Sequence, residues 1–182
     1  MRGFRRAFLQ MKNEGECRLK LSELPERSRA WIFAANERLS DEASAKLLNR
    51  VDTFLAQWAS HGQPNVSARE LRENRFLIVA ADESRSPSGC GIDKLFGLMK
   101  TLENELGMSL IDSSRIFYRE KDGAIAVATR DAFRKLAEEG RVALDTSVFD
   151  LSISDVADVL SGKWETKAEN SWHSEAFPLK EM

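Results

Sequence analysis

The chain has 182 residues, 42% hydrophobic and 31% charged, a length and balance that suit a globular protein able to bury a core. A net charge of −2 leaves no basic field to hold nucleic acid, and no apolar run approaches the length of a membrane span. Cys17 and Cys90 are too few for a disulfide framework, and without a secretory signal the expected location is the cytoplasm, with a small molecule or another protein as partner.

Taken in order, residues 1–12 carry Arg2, Arg5, Arg6 and Lys12 among Phe4, Phe8 and Leu9, with no sustained apolar stretch. Residues 1–20 therefore read as a disordered extension and residues 21–182 as a single globular domain. Residues 30–35 are short, apolar and begin with Ala-Trp, which predicts the first strand. Ser40 can cap a helix whose stripe is Leu47, Leu48, Val51, Phe54, Leu55 and Trp58, ending near His61-Gly62 before Pro64. Residues 66–73 are polar and of undetermined type. There Arg69 and Arg72, with Arg75 beyond, are interleaved with Glu70 and Glu73, the pattern of a solvated face.

Phe76–Ala81 is continuously apolar with β-branched members and predicts a strand buried on both faces. A loop rich in Ser, Pro and Gly follows. Ile92, Leu95, Phe96, Met99, Leu102 and Leu106 then recur at helical spacing, stopped by Gly107. Residues 115–120 and 124–129 predict two strands joined by Lys121-Asp122-Gly123, a hairpin signal. Thr129 can cap a short helix that ends at Gly140. A short strand at Val148-Phe149 and a helix reaching Gly162 follow. Beyond it the chain is irregular but carries Trp164, Trp172 and Phe177, which should pack back onto the core. The expected fold is α+β (α/β-like): one mixed sheet with helices packed on it, in the order β-α-β-α-β-β-α, plus an irregular C-terminal extension.

Strand, Ser/Gly loop and helix is the layout of a phosphate-binding loop, but here the chemistry fails. Such a loop needs a first Gly and then Gly-Lys-Ser/Thr, so that a lysine meets the phosphates and a hydroxyl holds magnesium. In this chain the first glycine is Ser86, the lysine position is Ile92 and the hydroxyl position is Asp93. A carboxylate there repels a triphosphate, so nucleotide hydrolysis is not expected. A thioredoxin-like redox role is not expected either: Cys90 follows the second predicted strand and no proline precedes the third.

Cys90, at the start of a helix, is in a position where exposed amides and the helix dipole favour a thiolate. Gly89 and Gly91 would let a ligand approach the backbone closely. The other reading of Cys90 is a small packing residue where loop meets helix. His61 and His173 are the only histidines, and either could serve Cys90 as a general base. Asp82 ends the central strand, at the sheet edge where α/β proteins place ligands, and Asp93 lies in the first helical turn. By ligand type His61 and His173 with Cys90 and Asp82 or Asp93 could make a metal site, but their spacing gives it no support, so no metal site is predicted, and no cofactor is indicated. Three functions follow as expectations. The first is a binding module with its site in residues 88–93, lined by Gly89, Gly91, Asp93 and Asp82. The second is a thiol-dependent enzyme using Cys90 with His173 or His61. The third is a scaffold in which all these residues are structural.

Ala30-Trp-Ile-Phe, Trp58-Ala-Ser-His-Gly, Arg75-Phe-Leu-Ile-Val, Ser88-Gly-Cys-Gly-Ile-Asp, Val148-Phe-Asp, Trp164-Glu-Thr and Ser171-Trp-His together span residues 21–177. In these the chain resembles a family of small bacterial proteins that commonly carry the label "ABC transporter ATPase". The family usually has Ser at the position of Gly91 and Val at that of Ala81, and ends in Arg-Phe-Phe where this chain has Ser174-Glu-Ala-Phe. The resemblance implies a bacterial protein but no activity, because the label meets the same phosphate-loop failure.

Overall fold

A computed structural model describes residues 19–60, 62–82 and 89–181. The expectations placed on residues 1–18 with Cys17, on His61 and on residues 83–88 lie outside the described residues. In chain order the elements are β1 (Arg29–Ala34), α1 (Asp41–Gln57), β2 (Ala59–Ser60), β3 (Gln63–Pro64), β4 (Ser67–Arg72), β5 (Phe76–Ala81) and α2 (Gly89–Leu106). They continue with β6 (Arg115–Arg119), β7 (Ile125–Thr129), α3 (Arg130–Glu138), β8 (Ser147–Phe149), α4 (Val156–Leu160), β9 (Glu165–Lys167) and α5 (His173–Ala176).

The fold is α+β, but its strands do not form one mixed sheet. They form a three-stranded sheet in the order β1-β5-β4, the small β2-β3 hairpin, and a four-stranded sheet in the order β7-β6-β8-β9, with every pairing antiparallel. The correction turns on residues 67–75. Glu73 and Asn74 have φ of 56° and 48°, and the Arg75 amide donates to the Arg72 carbonyl, so the chain reverses tightly and β5 returns along β4. β5 then inserts between β4 and β1. β1 and β4 run in the same direction with α1 joining them, and β5 runs against both. The predicted strand–helix–strand crossover exists, but its second strand is the polar β4.

Strand alternation divides the molecule into layers. Trp31, Phe33, Leu77 and Val79 face Leu47 and Val51 of α1 and Leu95, Met99 and Leu102 of α2. The opposite face of the same sheet shows small residues, Ala30, Ala34, Ala68 and Ala80, around Phe76 and Ile78. Against it the second sheet sets Phe117 and Phe149, with Trp164 beside them. Phe76 stacks on Phe149 at 4.6 Å between ring centres and meets Phe117 and Trp164 edge-on at 5.5 and 5.2 Å. Aromatics of one sheet fill the space that alanines leave on the other. The outer face of the second sheet, Ile116, Tyr118, Ala128 and Val148, is covered by Phe133 and Ala137 of α3 and by Phe177 of the C-terminal segment. The order of layers is helices, sheet, sheet, helix with C-terminal segment.

Local signals placed the helices. Ser40 accepts from the Ala43 amide at 3.1 Å and Thr129 from the Ala132 amide at 3.2 Å. Gly107 and Gly140 end α2 and α3 with φ of 67° and 68°. Among the described residues no helix is long and apolar enough to cross a membrane.

Candidate functional site

α2 opens with the predicted site. Gly91 continues the buried line Leu95, Met99 and Leu102, so it faces the sheet. Gly89, Cys90 and Asp93 lie on the outer side of the same turns and are exposed. Cys90 is a free, accessible thiol rather than a packing residue. Asp82, just past β5, is half-buried, and its amide donates to the Val66 carbonyl at 2.9 Å, extending the β4–β5 ladder.

His173 is elsewhere. It lies in the outermost layer on the far side of both sheets, 1% exposed. The two sheets between it and α2 pack roughly 10 Å apart. Its ring stacks on Trp172 at 3.9 Å and meets Phe133 edge-on at 6.2 Å. The Ser171 hydroxyl lies 2.9 Å from its Nδ1 and donates to Asp150 Oδ2 at 3.3 Å. Asp150 also accepts from the Trp172 indole at 3.2 Å and from the Ser152 amide at 2.9 Å. Burial pushes the His173 imidazole down to about 4; Asp150 opposes the shift and Arg130 adds to it. The fold therefore brings Gly89, Cys90 and Asp93 together and keeps His173 from them. Among the described residues no group of three or more His, Cys, Asp or Glu could hold a metal ion.

The molecule also has a groove that none of these residues lines. It follows the outer edge of β1, encloses about 270 Å³, and has predominantly apolar walls. The ladder to β5 explains why this edge is open. Ala35 donates to the Arg75 carbonyl, so the odd-numbered residues of this stretch bond inward to β5. Even-numbered residues point outward. The Ala30 amide donates to the Ser154 carbonyl at 2.7 Å, and the Ala34 amide to the Leu110 carbonyl at 3.0 Å. Two loops thus close the two ends of the edge. Ile32 lies between them, and by the same alternation its N–H and C=O face the groove.

The closing loops are firmly held. Glu103 of α2 accepts from the Leu110 and Ile111 amides at 2.7 and 3.0 Å, and Asn36 Oδ1 accepts from the Ser109 amide at 2.9 Å. Phe96, on α2, forms part of the wall; it is 38% exposed and packs edge-on against Phe33 at 5.4 Å. Arg29 stands at the Ala30 end with its guanidinium 5.2 Å over the Trp31 ring, and among the described residues it has no ion pair. Asp112 stands at the Ala34 end, where bonds from the Ser114 side chain and amide, and then the Arg115 guanidinium 2.9 Å from Oδ2, hold its carboxyl below the usual carboxylate range. A second, wider depression of about 700 Å³ lies beside the β6–β7 hairpin, with Lys121, Asp122, Arg141 and Asp145 mixed along it.

Sequence reasoning placed β1 but not its edge position, so Ile32, Phe96, Arg29 and Asp112 were not singled out. The one available signal was Phe96, the bulkiest residue of the α2 stripe and the one left exposed. Comparison of the chain with protein-family models, with curated proteins and with solved structures gives no match.

Proposed function

We propose that the protein is a binding module whose ligand site is the groove along β1. One observation carries this reading: among the described residues the outward N–H and C=O of Ile32 have no backbone partner, and two loops bonded to the same edge frame them. Exposed edges are usually blocked along their length to prevent aggregation. Here both ends are blocked and the middle is left open beside an exposed phenylalanine. A directional pair of backbone groups set in an apolar recess is the composition of a small-ligand site, and the volume is at the small end for such sites.

An exposed Cys90 supports a second reading, a thiol-dependent enzyme. That reading needs a base, and the bonds and burial of His173 tie it to the opposite layer. Nucleotide hydrolysis stays outside both readings, because Ile92 and Asp93 stand where a lysine and a hydroxyl would be needed.

The test is a set of small neutral amides and aromatic fragments titrated into the isotope-labelled protein, read by amide chemical shifts. The Ile32, Leu110 and Ser113 amides are expected to shift together and saturably, and Phe96→Ser is expected to weaken the response at least about fivefold. Shifts confined to α2 around Cys90 and Asp93, or none at all, would overturn the reading.

A further inference from the structure

We infer that the groove takes a short extended peptide with both ends free, about three residues long, lying antiparallel to β1. The inference rests on the binding reading above and adds the class and direction of the ligand. Ile32 presents an N–H and a C=O on one edge, and the group that satisfies both at once is the backbone of one extended residue, which returns both bonds as a closely spaced antiparallel pair.

Length follows from the two loops. Ala30 and Ala34 are already bonded to Ser154 and Leu110, so the open edge between them spans roughly 13 Å at the usual rise per strand residue. An extended tripeptide is roughly 10 Å long and fits, whereas a longer strand runs into a loop at each end. The same loops exclude a second copy of the chain, because its own edge carries identical loops that would have to occupy the same space.

Charge sets direction. β1 runs from Arg29 to Ala34, so an antiparallel peptide has its amino end near Asp112 and its carboxyl end near Arg29. The Asp112 carboxylate is held ionised by Ser114 and by Arg115, whose Nε lies 2.9 Å from Oδ2, so it shares its charge with that guanidinium, whereas Arg29 has no ion pair among the described residues. The ammonium thus meets the acid and the carboxylate meets the guanidinium. A parallel peptide would set its ammonium beside the Arg29 guanidinium, which has no acid to offset it among the described residues. Phe96 and the apolar loop residues Leu151 and Ile153 flank the central position, which favours a small apolar side chain there.

Three probes are titrated into the isotope-labelled full chain while the Ile32, Leu110 and Ser154 amides are followed: Ala-Val-Ala with free ends, the same peptide acetylated and amidated, and N-methylacetamide. The free peptide is expected to shift all three amides saturably, the blocked peptide to bind about tenfold or more weakly, and Arg29→Gln to weaken the free peptide about fivefold without changing the thermal midpoint. If the blocked peptide binds as well as the free one, recognition of the ends is wrong and the groove stands. If N-methylacetamide shifts Ile32 and neither peptide does, the peptide class is wrong and the groove again stands. If no probe moves these amides, the binding reading falls with the inference.

Discussion

The Ser171 hydroxyl sits between His173 Nδ1, at 2.9 Å, and Asp150 Oδ2, at 3.3 Å, so that the serine rather than the imidazole occupies the middle of this chain of bonds. The order is opposite to that of a nucleophilic triad, where histidine must lie between acid and hydroxyl to take the proton. A carboxylate only accepts. The Ser171 proton therefore points to Asp150, the hydroxyl accepts from Nδ1–H, and the neutral imidazole is the Nδ1-protonated tautomer. This arrangement anchors the C-terminal segment and leaves the serine no base.

That anchoring gives a pH dependence with a defined sign. The imidazole titrates near 4 in the folded chain, against an ordinary value of about 6.5 when unfolded. Between these values the unfolded chain binds the extra proton, so stability rises with pH across the window. The contribution is complete above about 6.5, falls as the pH drops toward 4, and changes no further below that. Its size is on the order of 3 kcal/mol. Denaturant midpoints from pH 7 to 4 should fall steeply in the native sequence, and the fall should be clearly shallower in His173→Gln. An equal slope in both would show that carboxylates alone drive the acid sensitivity.

Cys90 offers a kinetic check of the layer arrangement. In a Cys17→Ser background a polar thiol reagent is expected to label Cys90 in the folded protein, under conditions where the far-ultraviolet signal is intact. Adding His173→Gln should leave the pH midpoint of labelling where it was, because two sheets separate the residues. A midpoint shifted by half a unit or more would mean that the imidazole and thiol communicate. Cys90→Ser, a surface change, should alter stability by less than about 0.5 kcal/mol.

Asn65 presents the reverse situation, a buried side-chain amide without a partner among the described residues. The residue is 9% exposed, and among the described residues neither its Nδ2 nor its Oδ1 has a hydrogen-bond partner. An unpaired buried amide costs about 1–3 kcal/mol, and an apolar group of similar shape removes that cost. Asn65→Leu is therefore expected to raise stability by about 1 kcal/mol, or about 2–4 °C in the thermal midpoint. A loss of stability would mean that the amide is satisfied in solution.

Much of the fold could be read from short stretches of sequence, and the places where reading stopped share one cause. Ser40, Thr129, Gly107, Gly140 and the Asp122-Gly123 turn act on neighbours a few residues away, so the helices and the β6–β7 hairpin were legible. The run Phe76–Ala81 announced a strand buried on both faces, and all six of its residues are buried. β4 was not legible, because what holds its charged residues in a sheet is tertiary: Arg69 pairs with Asp52 of α1 at 2.8 Å, and Arg72, paired with Glu70 two residues before it, lays its guanidinium 5.2 Å over Trp164. Nor was Glu73 an evident turn residue, since a left-handed glutamate is unusual.

For the site the boundary is the same. Composition and spacing alone determined that the Gly-Lys-Ser/Thr of a phosphate loop is missing and that Cys90 heads a helix, because each depends on which residue stands beside which. Tertiary structure alone decided that His173 and Cys90 are in different layers, that β1 is an edge strand, and that loops around Leu110 and Ser154 close that edge except at Ile32. Which strand lies beside β1, and which backbone groups are left over, follow from pairings between residues from 40 (Ala35 with Arg75) to 124 (Ala30 with Ser154) positions apart along the chain. Such pairings are chosen by burial of whole faces, and no local run of sequence encodes them.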